Sequence, residues 1–381
     1  MFSTLIEFIR GLYATKKFIP LHEPIFSGKE REYVLDTIDS TFVSSIGEYV
    51  NEFEQSVESY TGIKYAIATV NGTAALHSIL TLLNISRNDL VITQSLTFVA
   101  TINSIIYTGA TPVFLDVERD TMSLSPTSLR DYLSQNCEVR NDNYCWDIQE
   151  NKIIKACLLM HTLGFPAELN EIKRLCDEYN IILLEDAAES LGSYYEGKHT
   201  GSFGTLSALS FNGNKVITTG GGGMILTNNE NLYNQAKHMT TTAKTSKGWS
   251  WEHDRVGYNY RMPNINAALG LGQIELIDRK ITSKRSLAES YKEHLRNSDI
   301  QFIDERENTK ANFWLNSVLM NSKEERDILL EETNTAGIGT RPLWRPIDEL
   351  NLSQSNKPFE LVNTKWLYDR VISLPSTPIL E

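Results

Sequence analysis

Short apolar segments alternate with amphipathic ones over the first two thirds of the chain. The apolar segments predict strands, at Tyr65–Val70, Leu90–Thr93, Pro112–Val117, Ile153–Met160, Ile181–Leu184 and Met224–Thr227. The amphipathic segments between them predict helices, at Ala74–Leu83, Phe98–Tyr107 and Leu169–Tyr179. Strands that are apolar on both faces and separated by helices are typical of a mostly parallel sheet covered by helices. The pattern therefore predicts an α/β fold.

The character of the chain changes near residue 265. A single long helical pattern runs from Asn264 to Arg296, and a strand at Phe313–Met320 and a helix at Glu324–Ala336 follow. With 381 residues the chain is long enough for two domains. We therefore place a large domain at residues 1–265 and a smaller C-terminal domain at residues 266–381. Residues 1–25 are candidates for packing with the small domain.

Composition removes several classes of partner. The 36 basic and 48 acidic residues give a net charge of −12, which argues against nucleic acid as a general partner. The four cysteines show neither CxxC spacing nor paired histidines, so we predict reduced thiols and no metal site. Glu7 interrupts the apolar positions of residues 1–17, which therefore predict an amphipathic helix rather than a signal peptide. No apolar run reaches the ~20 residues of a membrane span, so we expect a cytoplasmic protein without membrane contact.

Lys215 is the most informative residue for chemistry. It lies between an apolar strand and the glycine run Gly220–Gly223, where it can lose solvent and keep access to a ligand. Burial lowers the pKa of an ammonium group and yields an amine that can form a Schiff base. Asp186 ends a second apolar strand, and a carboxylate paired with such a lysine is what pyridoxal phosphate requires. Taken singly, such a lysine is usually a solvated loop cation, and such an aspartate is often only a strand-ending or helix-capping residue.

A phosphate site is predicted where the first strand turns into a helix. Asn71-Gly72-Thr73 occupies that corner, and free N–H groups together with the helix dipole favour an anion there. Gly72 permits close backbone approach, and Thr73 adds a hydroxyl donor. Ser210, five residues before Lys215, can supply a second hydroxyl. An ordinary helix cap is the alternative interpretation.

Other candidates are less specific. Phe98, at a strand-to-helix corner, can stack on a planar cofactor or pack in the core. Glu189 can face the same pocket or serve as a helix-start carboxylate. His161 is a lone histidine at a strand end. The polar and aromatic loop Gly257–Asn264, which contains Tyr258 and Arg261, is a candidate binding loop.

Taken together, these segments resemble the DegT/DnrJ/EryC1/StrS family of sugar-nucleotide aminotransferases over nearly the whole chain. The matching segments are Asn71–Leu76, Thr97–Thr101, Glu185–Glu189, Ser210–Lys215 and Gly257–Met262. The resemblance implies the aspartate aminotransferase architecture of pyridoxal-phosphate enzymes, fold type I. Its large domain has a mostly parallel seven-stranded sheet, and its C-terminal domain is a smaller α/β unit.

The resemblance also implies roles for individual residues. Lys215 would form the Schiff base with pyridoxal 5′-phosphate and shuttle protons. Asp186 would bind the pyridinium nitrogen, and Phe98 would stack on the ring. Glu189 is a further cofactor-binding candidate and stands where many members have glutamine.

The remaining candidates surround the cofactor. Gly72, Thr73 and Ser210 would hold the phosphate. Asn259 would reach it from the neighbouring subunit, which implies a homodimer. Weaker substrate-binding candidates are His161, Tyr258 and Arg261.

The expected substrate is a nucleotide-linked keto sugar. The segments Phe18–Pro24, Val43–Gly47 and Thr240–Lys244 are most similar to the legionaminic-acid branch, which implies C4 amination of UDP-2-acetamido-4-keto-2,6-dideoxyhexose. L-glutamate would be the donor and leave as 2-oxoglutarate, in surface-polysaccharide, O-antigen or nonulosonic-acid biosynthesis. A GDP-4-keto-6-deoxymannose (perosamine-type) or dTDP-linked substrate stays open. A dehydratase is disfavoured by Lys215, and a catalytically silent binding module is the non-enzyme alternative.

Overall fold

The computed structural model describes residues 2–15, 17–245, 249–350, 352 and 359–380. The helices are α1 Ser3–Leu12, α2 Glu30–Asp39, α3 Glu48–Thr61, α4 Gly72–Leu82, α5 Val99–Tyr107, α6 Pro126–Asn136, α7 Leu169–Glu178, α8 Glu230–Thr240, α9 Asn264–Ile274, α10 Ile277–Leu295, α11 Lys323–Thr335 and α12 Val362–Tyr368. The strands are β1 Tyr65–Thr69, β2 Asp89–Gln94, β3 Thr111–Leu115, β4 Cys137–Val139, β5 Cys145–Asp147, β6 Lys152–Met160, β7 Ile182–Asp186, β8 Tyr194–Tyr195, β9 Lys198–His199, β10 Leu206–Ser210, β11 Gly223–Thr227, β12 Gln301–Phe302, β13 Thr309–Lys310, β14 Asn316–Leu319, β15 Arg341–Pro342 and β16 Val371–Leu374.

The central sheet has the strand order β1-β11-β10-β7-β6-β2-β3 along its main path. The pairs from β10 to β3 are parallel, whereas β11 is antiparallel to both of its neighbours. The predicted α/β fold with a mostly parallel sheet is therefore confirmed. The described sheet has nine strands rather than the predicted seven, because β4 and β5 are added to the seven of the main path. The polar segment after α6 forms the β4–β5 hairpin, and β5 pairs antiparallel with the start of β6.

Helices cover both faces of this sheet because its strands are apolar on both sides. Val91 of β2 packs in a core with α4 and α5, while its neighbour Ile92 packs in a second core with α6 and α7. Successive side chains of a strand point to opposite faces, so one continuous apolar run supplies both cores. This burial holds the strand ends, where the polar candidates lie, in fixed positions.

The C-terminal region corrects one prediction. The segment Asn264–Arg296 is not one helix, because Leu276 leaves helical geometry (φ −109°, ψ 9°) between α9 and α10. The break lets α9 pack against α2 and α3, while α10 packs with α1 over the antiparallel sheet β12-β14-β16-β15. The predicted domain boundary between residues 265 and 266 falls inside α9, and the division into two domains stays a prediction.

Within the described part of the chain, none of the helices combines the length and the apolar character that crossing a membrane requires.

Candidate active site

A cavity of about 310 Å³ opens where β1, β7 and β10 end. The predicted residues that line it are Gly72, Thr73, Phe98, Asp186, Glu189, Ser210 and Lys215. They come from four separate stretches of sequence, which the strand order of the sheet brings together. We call this space the Lys215 cavity.

Lys215 forms a buried ion pair inside this cavity. Its Nζ lies 3.0 Å from Oε1 of Glu189, and the two side chains are 12% and 1% exposed. Burial raises the pKa of Glu189 to about 7, and the nearby Lys215 opposes that rise. The Trp314 ring lies on another side of Lys215, with Nζ 4.0 Å from the ring centroid. The amine is thus held between an acid and an aromatic face.

Asp186 is buried at the end of β7, and its two oxygens are both occupied. Oδ2 accepts a hydrogen bond from Oγ1 of Thr101 at 2.7 Å, and Oδ1 accepts one from the Ala188 N–H at 3.1 Å. Burial raises the pKa of Asp186, and these hydrogen bonds and the charge of Lys215 act in the opposite direction. A positively charged ring nitrogen placed beside this carboxylate would be stabilised by it.

The phosphate site lies at the N-terminus of α4. Asn71 caps this helix through Oδ1, which accepts from the Ala74 N–H at 2.7 Å. Gly72 leaves a narrow space, since a Cβ there would lie 3.0 Å from Cβ of Ser210. The first N–H groups of a helix have no intrahelical acceptor and bind anions well. The hydroxyls of Thr73 and Ser210 line the same space.

The residues present fit pyridoxal phosphate as a ligand. An anion cup for the phosphate, a buried carboxylate for the ring nitrogen and an amine for the aldehyde all face one cavity. The half-exposed Phe98 offers a ring face at its side. The individual residue roles remain predictions.

Two of the weaker candidates, His161 and Arg261, do not reach the Lys215 cavity. His161 is fully buried, with Nε2 2.9 Å from Oε2 of Glu185 and Nδ1 accepting from the Ala167 N–H at 3.2 Å. Arg261 is 6% exposed and pairs with Glu54. Both therefore use their polar groups to hold neighbouring elements together.

Tyr258 and Asn259 lie on the loop before α9. The Tyr258 ring stacks on Tyr260, with centroids 5.0 Å apart, and its edge meets His77. Tyr258 therefore packs within its own chain rather than against the cavity. Asn259 is exposed and outside the cavity of its own chain. Its predicted role in a neighbouring subunit stays a prediction.

Two tryptophans that line the cavity were not found by sequence reasoning. Trp314 precedes β14, and its Nε1 donates to the Asn214 carbonyl at 2.7 Å. Trp344 meets the edge of Phe98, with ring centroids 6.1 Å apart. The segment after Trp344 is fastened to the large sheet by the Ile347 N–H, which donates to the Ser95 carbonyl at 3.1 Å. The segment Arg341–Pro346, which is rich in arginine and proline around Trp344, could have indicated a binding residue there. The sequence near Trp314 contains no comparable indication.

The fold is that of the fold type I α/β enzymes, and the residues that line this cavity fit the pyridoxal phosphate that this class of protein binds. The sequence profile of the DegT/DnrJ/EryC1/StrS aminotransferase family matches residues 24–381, and the chain belongs to this family. It is a pyridoxal-phosphate-dependent sugar aminotransferase.

Individual relatives are similar over nearly their whole length. A GDP-perosamine synthase of Escherichia coli O157:H7 is 38% identical, with 96% of this chain and 95% of the relative covered. A GDP-perosamine synthase of Vibrio cholerae is 34% identical, with 94% of each chain covered. The crystal structure of Helicobacter pylori PseC, an aminotransferase involved in the biosynthesis of pseudoaminic acid, superimposes with a TM-score of 0.83. It is 25% identical, with 94% of each chain covered.

Proposed function

We propose that this protein aminates C4 of a nucleotide-linked 4-keto-6-deoxy sugar, with L-glutamate as the amino donor. The Lys215 cavity carries this proposal, because it joins the Lys215 amine, the Asp186 carboxylate and the anion cup at Gly72. Pyridoxal phosphate held by these residues would supply the chemistry that transfers the amino group from the donor to the keto sugar. Lys215 Nζ takes up and returns the proton as general acid and base.

GDP-4-keto-6-deoxymannose is the preferred acceptor. The GDP-perosamine synthases of Escherichia coli and Vibrio cholerae, at 38% and 34% identity, support this choice over the UDP-linked sugar expected from short segments alone. The UDP-2-acetamido-4-keto-2,6-dideoxyhexose remains the second candidate. It is supported by those segments and by the likeness to the pseudoaminic acid enzyme. We expect the loop at residues 240–254 to recognise the base, and residues 246–248 of this loop lie outside the described residues.

A panel of keto sugars tests the acceptor. The protein is loaded with pyridoxal phosphate, converted with L-glutamate until the visible absorbance band is lost, and freed of excess donor. GDP-, UDP- and dTDP-linked 4-keto-6-deoxy sugars are then added separately. Return of the band with the GDP-linked sugar is the expected result. Return with the UDP-linked sugar alone would replace our preference with the second candidate, and no response to any of the three sugars would contradict the proposal.

A homodimer with shared sites completes the proposal. Asn259 is exposed, and the neighbouring Trp249, Trp251 and Val256 are 79% to 100% exposed. Large apolar side chains that are exposed along one segment favour a protein interface there. We expect Asn259 of one subunit to reach the phosphate site at the N-terminus of α4 in the other subunit.

Mixing two inactive variants tests this arrangement. Lys215→Ala and Asn259→Ala chains are unfolded together and refolded, so that mixed dimers form. If Asn259 acts across the interface, each mixed dimer regains one intact site, and the glutamate half-reaction returns. If Asn259 acts within its own chain, both sites stay defective and no activity returns.

A further inference from the structure

The Lys215–Glu189 ion pair differs from the buried ion pair between Arg261 and Glu54. Arg261 pairs with Glu54, and a guanidinium does not give up its proton at accessible pH. Lys215 pairs with Glu189 at 3.0 Å, and each member of this pair can exist in a neutral form. The Lys215–Glu189 pair also faces the Lys215 cavity, whereas the Arg261–Glu54 pair does not.

The surroundings of Glu189 hold one oxygen and leave the other to the lysine. Oε2 accepts a hydrogen bond from the Leu163 N–H at 2.9 Å, which fixes the carboxylate. Oε1 lies 3.0 Å from Lys215 Nζ, a distance suited to direct proton transfer. In a buried setting a neutral acid and amine cost less desolvation than two charges do.

We propose that Glu189 is a second proton-holding group of the reaction, exchanging one proton directly with Lys215. The N–H bond at Nζ breaks while the O–H bond at Oε1 forms, and the electron pair of the broken bond stays on nitrogen. Lys215 thereby becomes a neutral amine without loss of a proton to solvent. This inference rests on the proposed function, in which Lys215 is the reactive lysine. The raised pKa of Glu189, about 7, supports it.

Asp186 and His22 are titratable groups that interact electrostatically with the members of this pair. Asp186 contributes negative charge from β7 and has a raised pKa of its own. Burial, followed by the charges of Lys284, Lys280 and Lys215, holds the pKa of His22 well below its usual range, so His22 stays neutral. A control variant at Asp186 must therefore distinguish the effect of the Asp186 carboxylate from that of Glu189.

Competitive labelling of the cofactor-free protein tests the proposal without an activity assay. Trace acetic anhydride is reacted at a series of pH values, and acetylation of Lys215 is measured by mass spectrometry. The exposed Lys365 of the same chain serves as internal standard. An amine that shares its proton with an acid has two titration steps that belong to the pair. The labelling rate of Lys215 should therefore rise about tenfold per pH unit below the pKa of Glu189, which burial raises to about 7, then level off, and rise again when the pair loses its second proton.

Variants assign the lower step. Glu189→Gln keeps an oxygen for the Leu163 N–H but cannot hold the proton, so its profile should show one step only. Asp186→Asn should keep both steps. A single step in the unaltered protein, or a lower step that survives Glu189→Gln, overturns the proposal. If Lys215 shows no pH-dependent labelling at all, the proposed function loses its reactive lysine, which is a different failure.

Discussion

Buried lysines lie in two regions of the described structure, and these lysines differ in their access to a cavity and in the groups that they contact. Lys215 is 12% exposed, faces a cavity and pairs with the Glu189 carboxylate. Lys284 of α10 is fully buried, and its Nζ donates to the carbonyls of Trp314 and Ser376 at 3.0 and 2.6 Å. Burial holds the pKa of Lys284 well below its usual range. Trp314 connects the two regions, because its ring contacts Lys215.

This comparison shows that burial alone does not identify a reactive lysine. Lys284 is buried more deeply than Lys215, yet its amine joins α10 to the chain just before β14 and just after β16. Lys280, one turn earlier, is 1% exposed and donates to the Ile25 carbonyl at 3.2 Å. What distinguishes Lys215 is access to a cavity together with an acid that can take its proton.

The largest effect should follow from Lys215→Ala. The glutamate half-reaction, measured as loss of the visible cofactor band, should slow at least ~10³-fold, since the general acid–base group is gone. Stability at about pH 6 should change by no more than ~1 kcal/mol. Glu189, whose pKa is about 7 even beside Lys215, can remain buried as a neutral acid there. A variant that keeps the half-reaction would remove the distinction between the two regions.

Lys284→Met should show the opposite pattern. Two buried carbonyls lose their donor at ~1–3 kcal/mol each, partly offset by the apolar methionine. We expect a net loss of about 2 kcal/mol in the free energy of unfolding, measured with urea, and a half-reaction within about threefold of the unaltered protein. Lys365→Met, at an exposed position of α12, is the matched control and should stay within ~0.5 kcal/mol. A stable Lys284→Met variant without the half-reaction would place Lys284 in the chemistry.

Lys280 provides a smaller, pH-dependent test. Burial lowers its pKa from 10.5 to about 8, so the unfolded chain binds more protons than the folded one between these values. Stability should therefore rise with pH in that window, by about 1.5 kcal/mol from Lys280 between pH 8 and 9.5, at ~1.4 kcal/mol per pKa unit. Urea unfolding of Lys280→Met over this range should show a flatter curve. An equal slope in both proteins would mean that Lys280 is not held in its neutral form.

Much of the cavity could be predicted because its residues are carried by local signals. Asp186 ends an apolar strand, and Gly72 and Thr73 begin a helix directly after another. Such corners collect at one edge of a parallel sheet, so neighbouring strands bring them together. The predicted sheet and these positions follow from period and turn chemistry.

The remainder depended on contacts between distant parts of the chain. Trp314 reaches Lys215 across about a hundred positions of sequence, and no local pattern encodes that approach. His161 lies at a strand end as predicted, but its ring points to Glu185 inside the protein. The break at Leu276 likewise serves packing on two different surfaces. In each case, tertiary packing decided between side-chain contacts or backbone conformations that the local sequence allows equally.

The sequence by itself determined the α/β architecture, the family and most of the polar residues around Lys215, because alternation, strand ends and glycine positions are local properties of the chain. Only the tertiary structure decided which buried lysine faces a cavity and which acid it meets. Solvent access and the electrostatic surroundings of an amine depend on every element packed against it. Lys215 and Lys284 therefore could not be distinguished by burial, but only by the groups that lie within a few ångströms of each side-chain nitrogen.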